Sequence, residues 1–356
     1  MNILMMISKN DKYGAQRVFL DQVSALHRMG SHIVVVGRGN EGFVTESVRA
    51  MGVEYYGIPM KGVKDVFFLM KLVKKYNIQV IHTALDRADY LGLLVARVTR
   101  RPIVSTMNVK RYHIGYKLVD KVVVVSRQQQ GLLTNKGVHA DRIRLIRPGI
   151  DVDRFSHPHE QKRDSWKQKL KTDSYGIVFC HISSLLPQKK HFVSIELMAE
   201  IRKRGEKPLL IIAGDPLRGE YYESLVKKIA DSGLEQNVYF TGWTSELPEL
   251  LSLSHFTILP SVHEAFGMVL VEGMAAGNPI IARKGEGGAE LIQQYGTGFL
   301  YSKEEGVGNL ADEIISLLHD SGRYSALSNR CRRIARDELS LGRFGEQLAQ
   351  VYQSLS

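Results

Sequence analysis

The chain of 356 residues contains two cysteines and no long apolar run. Cys180 and Cys331 lie far apart in the sequence, which argues against a disulfide scaffold and fits a reducing compartment. No stretch of about 18 apolar residues is present, so we expect no membrane-spanning helix. Residues 1–7 lack the basic start and the small-residue cleavage site of a signal peptide, and they are predicted to form a first strand.

The sequence also lacks the fingerprint of a nicotinamide-cofactor site. A strand at 2–7, a helix at about 14–29 and a strand at 32–36 form a βαβ opening. It contains no Gly-x-Gly-x-x-Gly, and Gly37 and Arg38 follow the second strand where an acidic residue would be needed. A dehydrogenase is therefore disfavoured. Strands and helices alternate along the rest of the chain, which predicts an α/β fold, and the length is suited to two domains.

Charge is plentiful but unevenly distributed. Residues 1–156 contain 25 Lys and Arg against 12 Asp and Glu, a net charge of +13, whereas residues 157–356 contain 23 against 25, a net charge of −2. A basic half suggests an anionic partner, such as lipid headgroups or a phosphorylated acceptor, although solvated surface lysines and arginines explain it equally simply. Nucleic acid is disfavoured, because no stacking-aromatic or helix-turn-helix pattern accompanies the charge.

The most informative pattern lies between Phe256 and Pro279. An apolar strand ends at Pro260, a short loop follows, and a helix is predicted to begin near Ala265 and to end at Gly277. Glu264 precedes this helix and Glu272 lies about two turns inside it, roughly 12 Å along the axis. Paired-carboxylate hydrolases need about 5–10 Å. The wider spacing suits the two ends of a ligand whose middle is anionic and lies at the helix N-terminus.

This run resembles the signature of the retaining glycosyltransferases of family 4, which have two Rossmann-like domains (the GT-B fold). In that signature a Glu, seven residues and a second Glu follow a Pro-Ser strand end, with Phe-Gly after the first Glu. The resemblance implies that Glu264 binds hydroxyls of a donor sugar and that Glu272 binds the ribose. It also implies that Phe266 and Gly267 offer backbone N–H groups near the sugar and diphosphate.

Weaker resemblances to the same family extend over nearly the whole chain. Ser183 to His191 matches a loop whose Arg and Lys hold the diphosphate, with Ser184 at the Arg position and Lys189 at the Lys position. The resemblance makes Glu264 and Lys189 the predicted catalytic residues. The predicted donor-binding residues are Gly14, Ser184, Lys190, Gly242, Phe266, Gly267, Met268 and Glu272.

Two residues are predicted on the acceptor side. His82 ends a strand and faces the expected cleft, although a core or surface histidine is an equally good interpretation. Asn108 stands where the family often has a histidine; it can hydrogen-bond a sugar hydroxyl but cannot titrate near neutral pH. No metal ligand is predicted, because the Asp151-Val152-Asp153 motif lies at an expected hinge, away from any glycine-rich phosphate loop.

The predicted organisation is an acceptor-binding Rossmann-like domain at 1–157, a linker at 158–174 and a nucleotide-sugar-binding Rossmann-like domain at 175–338. A C-terminal helix within 339–356 is expected to cross back to the first domain. The resemblance implies that the two domains face a cleft.

The predicted function is metal-independent, retaining transfer of a sugar from a nucleotide-diphospho-sugar, a UDP-sugar first, to a glycan or glycolipid. The expected setting is bacterial surface polysaccharide or lipopolysaccharide synthesis in the cytoplasm, with peripheral contact to an anionic membrane through the basic half. No cofactor is expected, since the donor is a substrate. Two alternatives remain: a non-catalytic anionic-lipid or polysaccharide-binding protein of this fold, and a nucleotide-sugar 2-epimerase.

Overall fold

The structure is a computed structural model that describes residues 1–11 and 14–355. Lys12, Tyr13 and Ser356 lie outside the described residues, so the predicted loop before Gly14 is described only in part. Packing divides the chain into two units. One comprises Met1–Gly149 together with Leu339–Ser356, and the other comprises Ile150–Glu338.

The described part of the first unit is built on a seven-stranded parallel sheet with the order β3-β2-β1-β4-β5-β6-β7. The strands are β1 (Asn2–Ile7), β2 (His32–Arg38), β3 (Glu54–Ile58), β4 (Val80–Ala84), β5 (Ile103–Met107), β6 (Lys121–Val124) and β7 (Ile143–Leu145). Continuous β-branched and apolar runs suit strands that are covered on both faces. The strand order reverses beside β1, and open α/β sheets bind ligands at the carboxyl ends of the strands near such a reversal.

Helices accompany this sheet in the chain order expected for right-handed crossovers. They are α1 (Gly14–Arg28), α2 (Phe43–Ala50), α3 (Val63–Lys75), α4 (Asp86–Thr99) and α5 (Arg127–Asn135), with 3₁₀ turns at Ile114–Lys117 and Ala140–Arg142. In α1, Phe19, Val23 and Leu26 are buried at helical spacing, so this face packs on the core.

The second unit contains, among its described residues, a six-stranded parallel sheet with the order β10-β9-β8-β11-β12-β13. The strands are β8 (Ile177–Ile182), β9 (Pro208–Ala213), β10 (Val238–Gly242), β11 (Phe256–Leu259), β12 (Ile280–Arg283) and β13 (Gly298–Tyr301). Its helices are α6 (Val152–Ser156), α7 (Glu160–Leu170), α8 (His191–Lys203), α9 (Glu220–Asp231), α10 (Leu247–Ser252), α11 (Met268–Ala276), α12 (Ala289–Tyr295), α13 (Gly308–His319) and α14 (Ser321–Glu338). The prediction of two Rossmann-like domains is thus confirmed.

The division between the units lies before the predicted boundary at 157, and the predicted linker at 158–174 contains α7. The side chain of Phe155 in α6 is buried, and the Ser156 hydroxyl donates to the Ala275 carbonyl at 3.3 Å. Trp166 of α7 donates its indole N–H to Glu246 at 2.8 Å. Polar anchors of this kind leave no apolar periodicity in the sequence, which is why α7 was not predicted.

The last helix, α15 (Leu341–Gln353), belongs to the first unit. It packs on α1 so closely that a Cβ at Gly345 would approach the Met29 sulfur to 2.6 Å. Tyr352 is fully buried, and its hydroxyl hydrogen-bonds Nδ1 of His82 in β4. Among the residues that the structure describes, none of the helices has the length and hydropathy of a bilayer-spanning segment.

Candidate functional site

The loop after β11 determines where α11 begins. Gly267 adopts a left-handed conformation with φ of 89° and caps a helix that starts at Met268, three residues later than predicted. His263 also has a positive φ, 62°. The helix ends at Gly277, again left-handed with φ of 96°. Glu264 therefore lies farther before the helix than expected, and Glu272 lies little more than one turn inside it.

Three loops are joined at the carboxyl edge of this sheet. The Val262 N–H donates to the Gln188 carbonyl at 2.8 Å, which ties the loop after β11 to the loop after β8. The Glu264 N–H donates to the Glu286 carboxylate at 3.0 Å, and the Gly287 N–H donates to the Glu264 carbonyl at 3.0 Å. A Cβ at Gly287 would collide with the Ala265 carbonyl oxygen. The backbone of Glu264 is thus held at both its N–H and its carbonyl oxygen.

Lys189 and Glu264 form an ion pair across two of these loops. Lys189 Nζ lies 2.8 Å from Glu264 Oε2, and the two side chains are 26% and 19% exposed. Partial burial strengthens such a charge-assisted hydrogen bond relative to a pair on the open surface. The structure therefore brings together the two residues that were predicted to be catalytic.

A buried histidine pair lies behind the loop of Lys189. The rings of His181 in β8 and His191 in α8 stack at a centroid distance of 4.1 Å. His181 Nδ1 contacts the Ser194 hydroxyl at 2.9 Å, and His191 Nε2 contacts the Ser183 hydroxyl at 3.0 Å. Burial, followed by the charge of Lys189, lowers the pKa of His191 to about 4. His191 is therefore neutral near pH 7 and supports the loop as a hydrogen-bonding group.

The same histidine pair indicates how the cation is accommodated. The pKa of His181 is lowered well below its usual value by burial, then by the neighbouring His191 and Lys189. Because both imidazole rings are neutral, Lys189 is the cation of this group of three residues. Its counter-ion is Glu264. No sequence pattern identifies this histidine pair, because the two residues are ten positions apart and lie on different elements, a strand and a helix.

The loops after β8, β9 and β10 are also joined. The Leu185 N–H donates to the Asp215 carbonyl at 2.8 Å, and the Gly214 N–H donates to the Gly242 carbonyl at 3.0 Å. These bonds place the loop of Ser184 next to the end of β10, where Gly242 adopts a φ of 72°. Ser184 and Gly242, both predicted donor-binding residues, therefore share one edge of the sheet.

The other predicted donor-side residues differ in exposure. Phe266 is 3% exposed and Glu272 is 6% exposed, so their side chains are largely buried. Met268, the first residue of α11, is partly exposed. Lys190 is partly exposed and adopts a left-handed conformation with φ of 56° immediately before α8. Gly14 belongs to the first unit, where it is the exposed first residue of α1.

The two predicted acceptor-side residues fall into different environments. His82 is fully buried, and its second ring nitrogen contacts the Thr106 hydroxyl at 2.6 Å. Both nitrogens are therefore used inside the first unit, and the core interpretation of His82 replaces the acceptor one. Asn108 follows β5, is 8% exposed, and neither polar atom of its side chain has a hydrogen-bond partner among the described residues.

Sequence reasoning missed Glu286 and Gln188 as supports of Glu264. The glycine-rich run Gly285–Gly288 was visible, but its contact with Ala265 depends on the packing of two loops distant in the chain. Asp151 and Asp153 lie at the start of α6, and no cluster of three potential metal ligands occurs within residues 1–11 and 14–355.

Comparison with known families agrees with this architecture. The family model "Glycosyltransferase Family 4" matches residues 13–154, and the model "Glycosyl transferases group 1" matches residues 162–337. Together they account for most of the chain. It belongs to glycosyltransferase family 4. The Rossmann-like units described above are those of the GT-B fold of this family.

Individual relatives extend the comparison. The chain is 30% identical over 217 residues to the GDP-mannose-dependent alpha-(1-6)-phosphatidylinositol monomannoside mannosyltransferase of Mycobacterium tuberculosis. This match covers 58% of this chain and 55% of that protein. It is 23% identical over 347 residues to the UDP-Gal:alpha-D-GlcNAc-diphosphoundecaprenol alpha-1,3-galactosyltransferase of Escherichia coli, covering 90% and 88%. The chain thus spans about half the length of the first relative.

A solved structure supports the fold over the full length. Alr3699/HepE of Anabaena, crystallised in complex with UDP, superposes with a TM-score of 0.87 at 22% identity, and the match covers 100% of both chains. At 22% identity this likeness is evidence for the fold of the chain alone.

Proposed function

We propose that this family 4 member transfers a sugar from a nucleoside diphosphate sugar to a glycan or glycolipid acceptor. The observation that carries the proposal is the Lys189–Glu264 ion pair at the carboxyl edge of a parallel sheet, shortly before the start of α11. Open α/β sheets bind nucleotides at this edge. A cation, a carboxylate and a helix N-terminus together suit a ligand with an anionic middle and a hydroxyl-rich end.

A UDP-sugar is the first donor to test, and a GDP-sugar is the second. The Anabaena structure of the same fold was determined with UDP, and the Escherichia coli relative is named for UDP-Gal. The mycobacterial relative is named for GDP-mannose. In the proposed donor complex Ser184, Lys190 and Gly242 lie along the diphosphate and base, while Glu272 binds the ribose.

In the proposed reaction the configuration of the sugar is retained. The acceptor hydroxyl attacks the anomeric carbon from the face that the diphosphate leaves. Its new C–O bond forms as the bond to phosphate breaks, and its proton passes to a phosphate oxygen. Lys189 and the N–H groups at the start of α11 stabilise the charge on the leaving group, and Glu264 holds sugar hydroxyls. This charge balance uses Lys189, Lys190 and backbone amides in place of a divalent ion.

The proposed setting is the synthesis of a surface polysaccharide or lipopolysaccharide at the cytoplasmic face of a membrane. Support comes from the names of two relatives, one acting on a phosphatidylinositol mannoside and the other on a sugar diphosphoundecaprenol. The two alternatives raised by the sequence, the epimerase and the non-catalytic binding protein, are not favoured, because both of these relatives carry transferase names.

The test is a panel of UDP-, GDP- and ADP-sugars. For each sugar, binding to the protein and slow hydrolysis of the donor without acceptor are measured. We expect one base to be preferred. Lys189→Ala and Glu264→Gln should each lower turnover by about tenfold or more, because each removes a charged contact made in the transition state. Lys227→Ala and Glu235→Gln, on exposed residues of the same unit, are the matched controls. Absence of binding and hydrolysis with every donor would refute the proposal.

A further inference from the structure

A pocket rich in arginine lies at the amino edge of the first sheet, where α4 ends and β5 begins. It has a volume of about 360 Å³, and Arg97, Arg100 and Arg101 line it. Among the described residues of its lining, Asp120 is the one carboxylate. Oδ2 of Asp120 already accepts the backbone N–H of Ile103 at 2.8 Å. Three guanidinium groups therefore share this site, which we call the arginine pocket, with a single carboxylate.

The backbone of Arg100 adopts a conformation that favours glycine. Arg100 follows the last residue of α4 with φ of 53° and ψ of 43°, and its N–H donates to the Ala96 carbonyl. Helices commonly end in this left-handed conformation, and glycine is the usual residue there because a Cβ makes the conformation costly. The arginine is thus unfavourable for the backbone, and its presence is better explained by the exposed side chain that lines the pocket.

The other two arginines are held by the surrounding structure. Arg97 donates from Nη2 to the Leu118 carbonyl at 3.2 Å. Nε of Arg101 is buried without a hydrogen-bond partner among the described residues. The carboxyl end of a helix attracts cations, which accounts for arginines near the end of α4. That attraction does not supply an acceptor to a buried N–H, so Arg101 calls for one from a ligand.

The lining of the arginine pocket indicates which ligand it would take. Planar guanidinium groups donate paired N–H groups to the oxygens of a phosphate. The volume leaves room for a small organic group beside the phosphate. No aromatic ring on which a base could stack occurs among the described residues of the lining, which disfavours a nucleotide. The remaining lining residues are aliphatic: Ala96, Pro102, Ile103, Leu118 and Leu355.

The arginine pocket is separate from the residues that the proposed function uses. Asn108, the predicted acceptor residue, follows the carboxyl end of β5, at the opposite edge of the same sheet. The Lys189–Glu264 ion pair belongs to the second unit. A ligand in the arginine pocket would therefore be additional to donor and acceptor, and its binding does not depend on the proposed transfer.

We propose that the arginine pocket binds a small soluble phosphomonoester. The phosphate oxygens accept from the guanidinium groups of Arg97, Arg100 and Arg101, and the rest of the ligand lies against the aliphatic lining. The dianion gives the buried Nε of Arg101 an acceptor and offsets the excess of three guanidinium groups over one carboxylate.

The test is isothermal titration calorimetry of the full chain at constant ionic strength, with no donor or acceptor present. The probes are inorganic phosphate and glucose 1-phosphate, and glucose is the uncharged control. We expect both phosphates to bind, glucose not to bind, and the affinity for phosphate to fall as the chloride concentration is raised. Because no transfer is measured, failure of this test is distinct from failure of the transferase assay.

Arg100→Gly separates binding from folding. Glycine is the residue that this backbone conformation favours, so the variant should melt at or above the temperature of the natural protein. Its affinity for phosphate should fall by about tenfold, because one charged donor is lost. Lys171→Gly is the matched control, since exposed Lys171 follows α7 in the same conformation, with φ of 50°. It should bind phosphate as the natural protein does.

Four results would overturn the proposal. The first is no detectable binding of either phosphate to the natural protein. The second is an unchanged affinity in Arg100→Gly, and the third is an equal loss in Lys171→Gly. The fourth is loss of phosphate binding in Lys189→Ala with normal binding in Arg100→Gly, which would assign the heat to the predicted diphosphate site of the second unit.

Discussion

His82 illustrates how burial determines what a histidine does. The side chain is fully buried, and burial lowers its pKa to about 3. In an unfolded chain the pKa of histidine is about 6.5, so the unfolded state takes up a proton first as the pH falls. The stability that the neutral ring gives is therefore present above pH 6.5 and is lost as the pH falls from 6.5 toward 3.

This pKa difference gives a prediction for His82→Gln. The variant should be less stable than the natural protein near neutral pH, because the bond to Tyr352 changes, but its free energy of unfolding should decline less steeply between pH 6.5 and 4. The measurement is urea denaturation at several pH values. His27→Gln, at an exposed side chain of α1, is the control for the loss of a surface histidine. Parallel slopes for His82→Gln and the natural protein would contradict the burial argument.

At this scale the sequence was most informative about charged residues in a recognisable motif. Two separate motifs of the family predicted Lys189 and Glu264, and the structure pairs them at 2.8 Å. The sequence could not predict that Nδ1 of His82 is hydrogen-bonded to the Tyr352 hydroxyl, because that partner lies 270 positions away. Glu286 escaped notice for the same reason, since its contact with the Glu264 N–H requires two loops to be folded together.

Among the elements, the loop before α11 depends most on distant packing. The sequence predicted the strand and the end of the helix, where Gly277 and Pro279 give local signals. The start was wrong by three residues, because Gly267 is left-handed and the chain before it is held by the glycine-rich loop at Gly287. Backbone conformations fixed by tertiary contacts leave no periodic pattern to read.

Gly287→Ala tests this dependence. Its Cβ would collide with the Ala265 carbonyl oxygen, which belongs to the backbone and cannot rotate away. We expect a loss of stability of about 1–3 kcal/mol, from overpacking, and a weaker affinity for donor. Gly322→Ala in α14 is the control, since its Cβ would meet no atom closer than 3.5 Å. Thermal melting and donor titration should separate the two variants, and equal behaviour would mean that the loop has more room than the structure indicates.

At the scale of the whole molecule, the first unit is built from two stretches that are separated in the sequence by the second unit. Residues from Leu339 onward follow the second unit in sequence but pack in the first. The last helix was expected there from the family resemblance alone, because its amphipathic pattern does not specify a partner. Its packing on α1 through Gly345 and its buried Tyr352 are properties of the folded first unit.

A chain ended at Glu338 should therefore lose stability in the first unit and not in the second. Removing α15 exposes the apolar surface of α1 and leaves His82 without its hydroxyl partner. Limited proteolysis with mass spectrometry should detect early cleavage within residues 14–149 and persistence of residues 150–338. Tyr352→Phe in the full chain is the milder comparison, and we expect a loss of about 1 kcal/mol from it. Uniform digestion of both units would contradict the prediction.

The Lys189–Glu264 ion pair has a consequence for turnover under the proposed function. With no donor bound, Lys189 and Glu264 serve as counter-ions of each other. An arriving diphosphate would draw Lys189 to itself and release Glu264 to the sugar. After transfer, Glu264 would compete with the spent nucleotide for the same ammonium group. The carboxylate that helps to admit the donor would thus also help to expel the product.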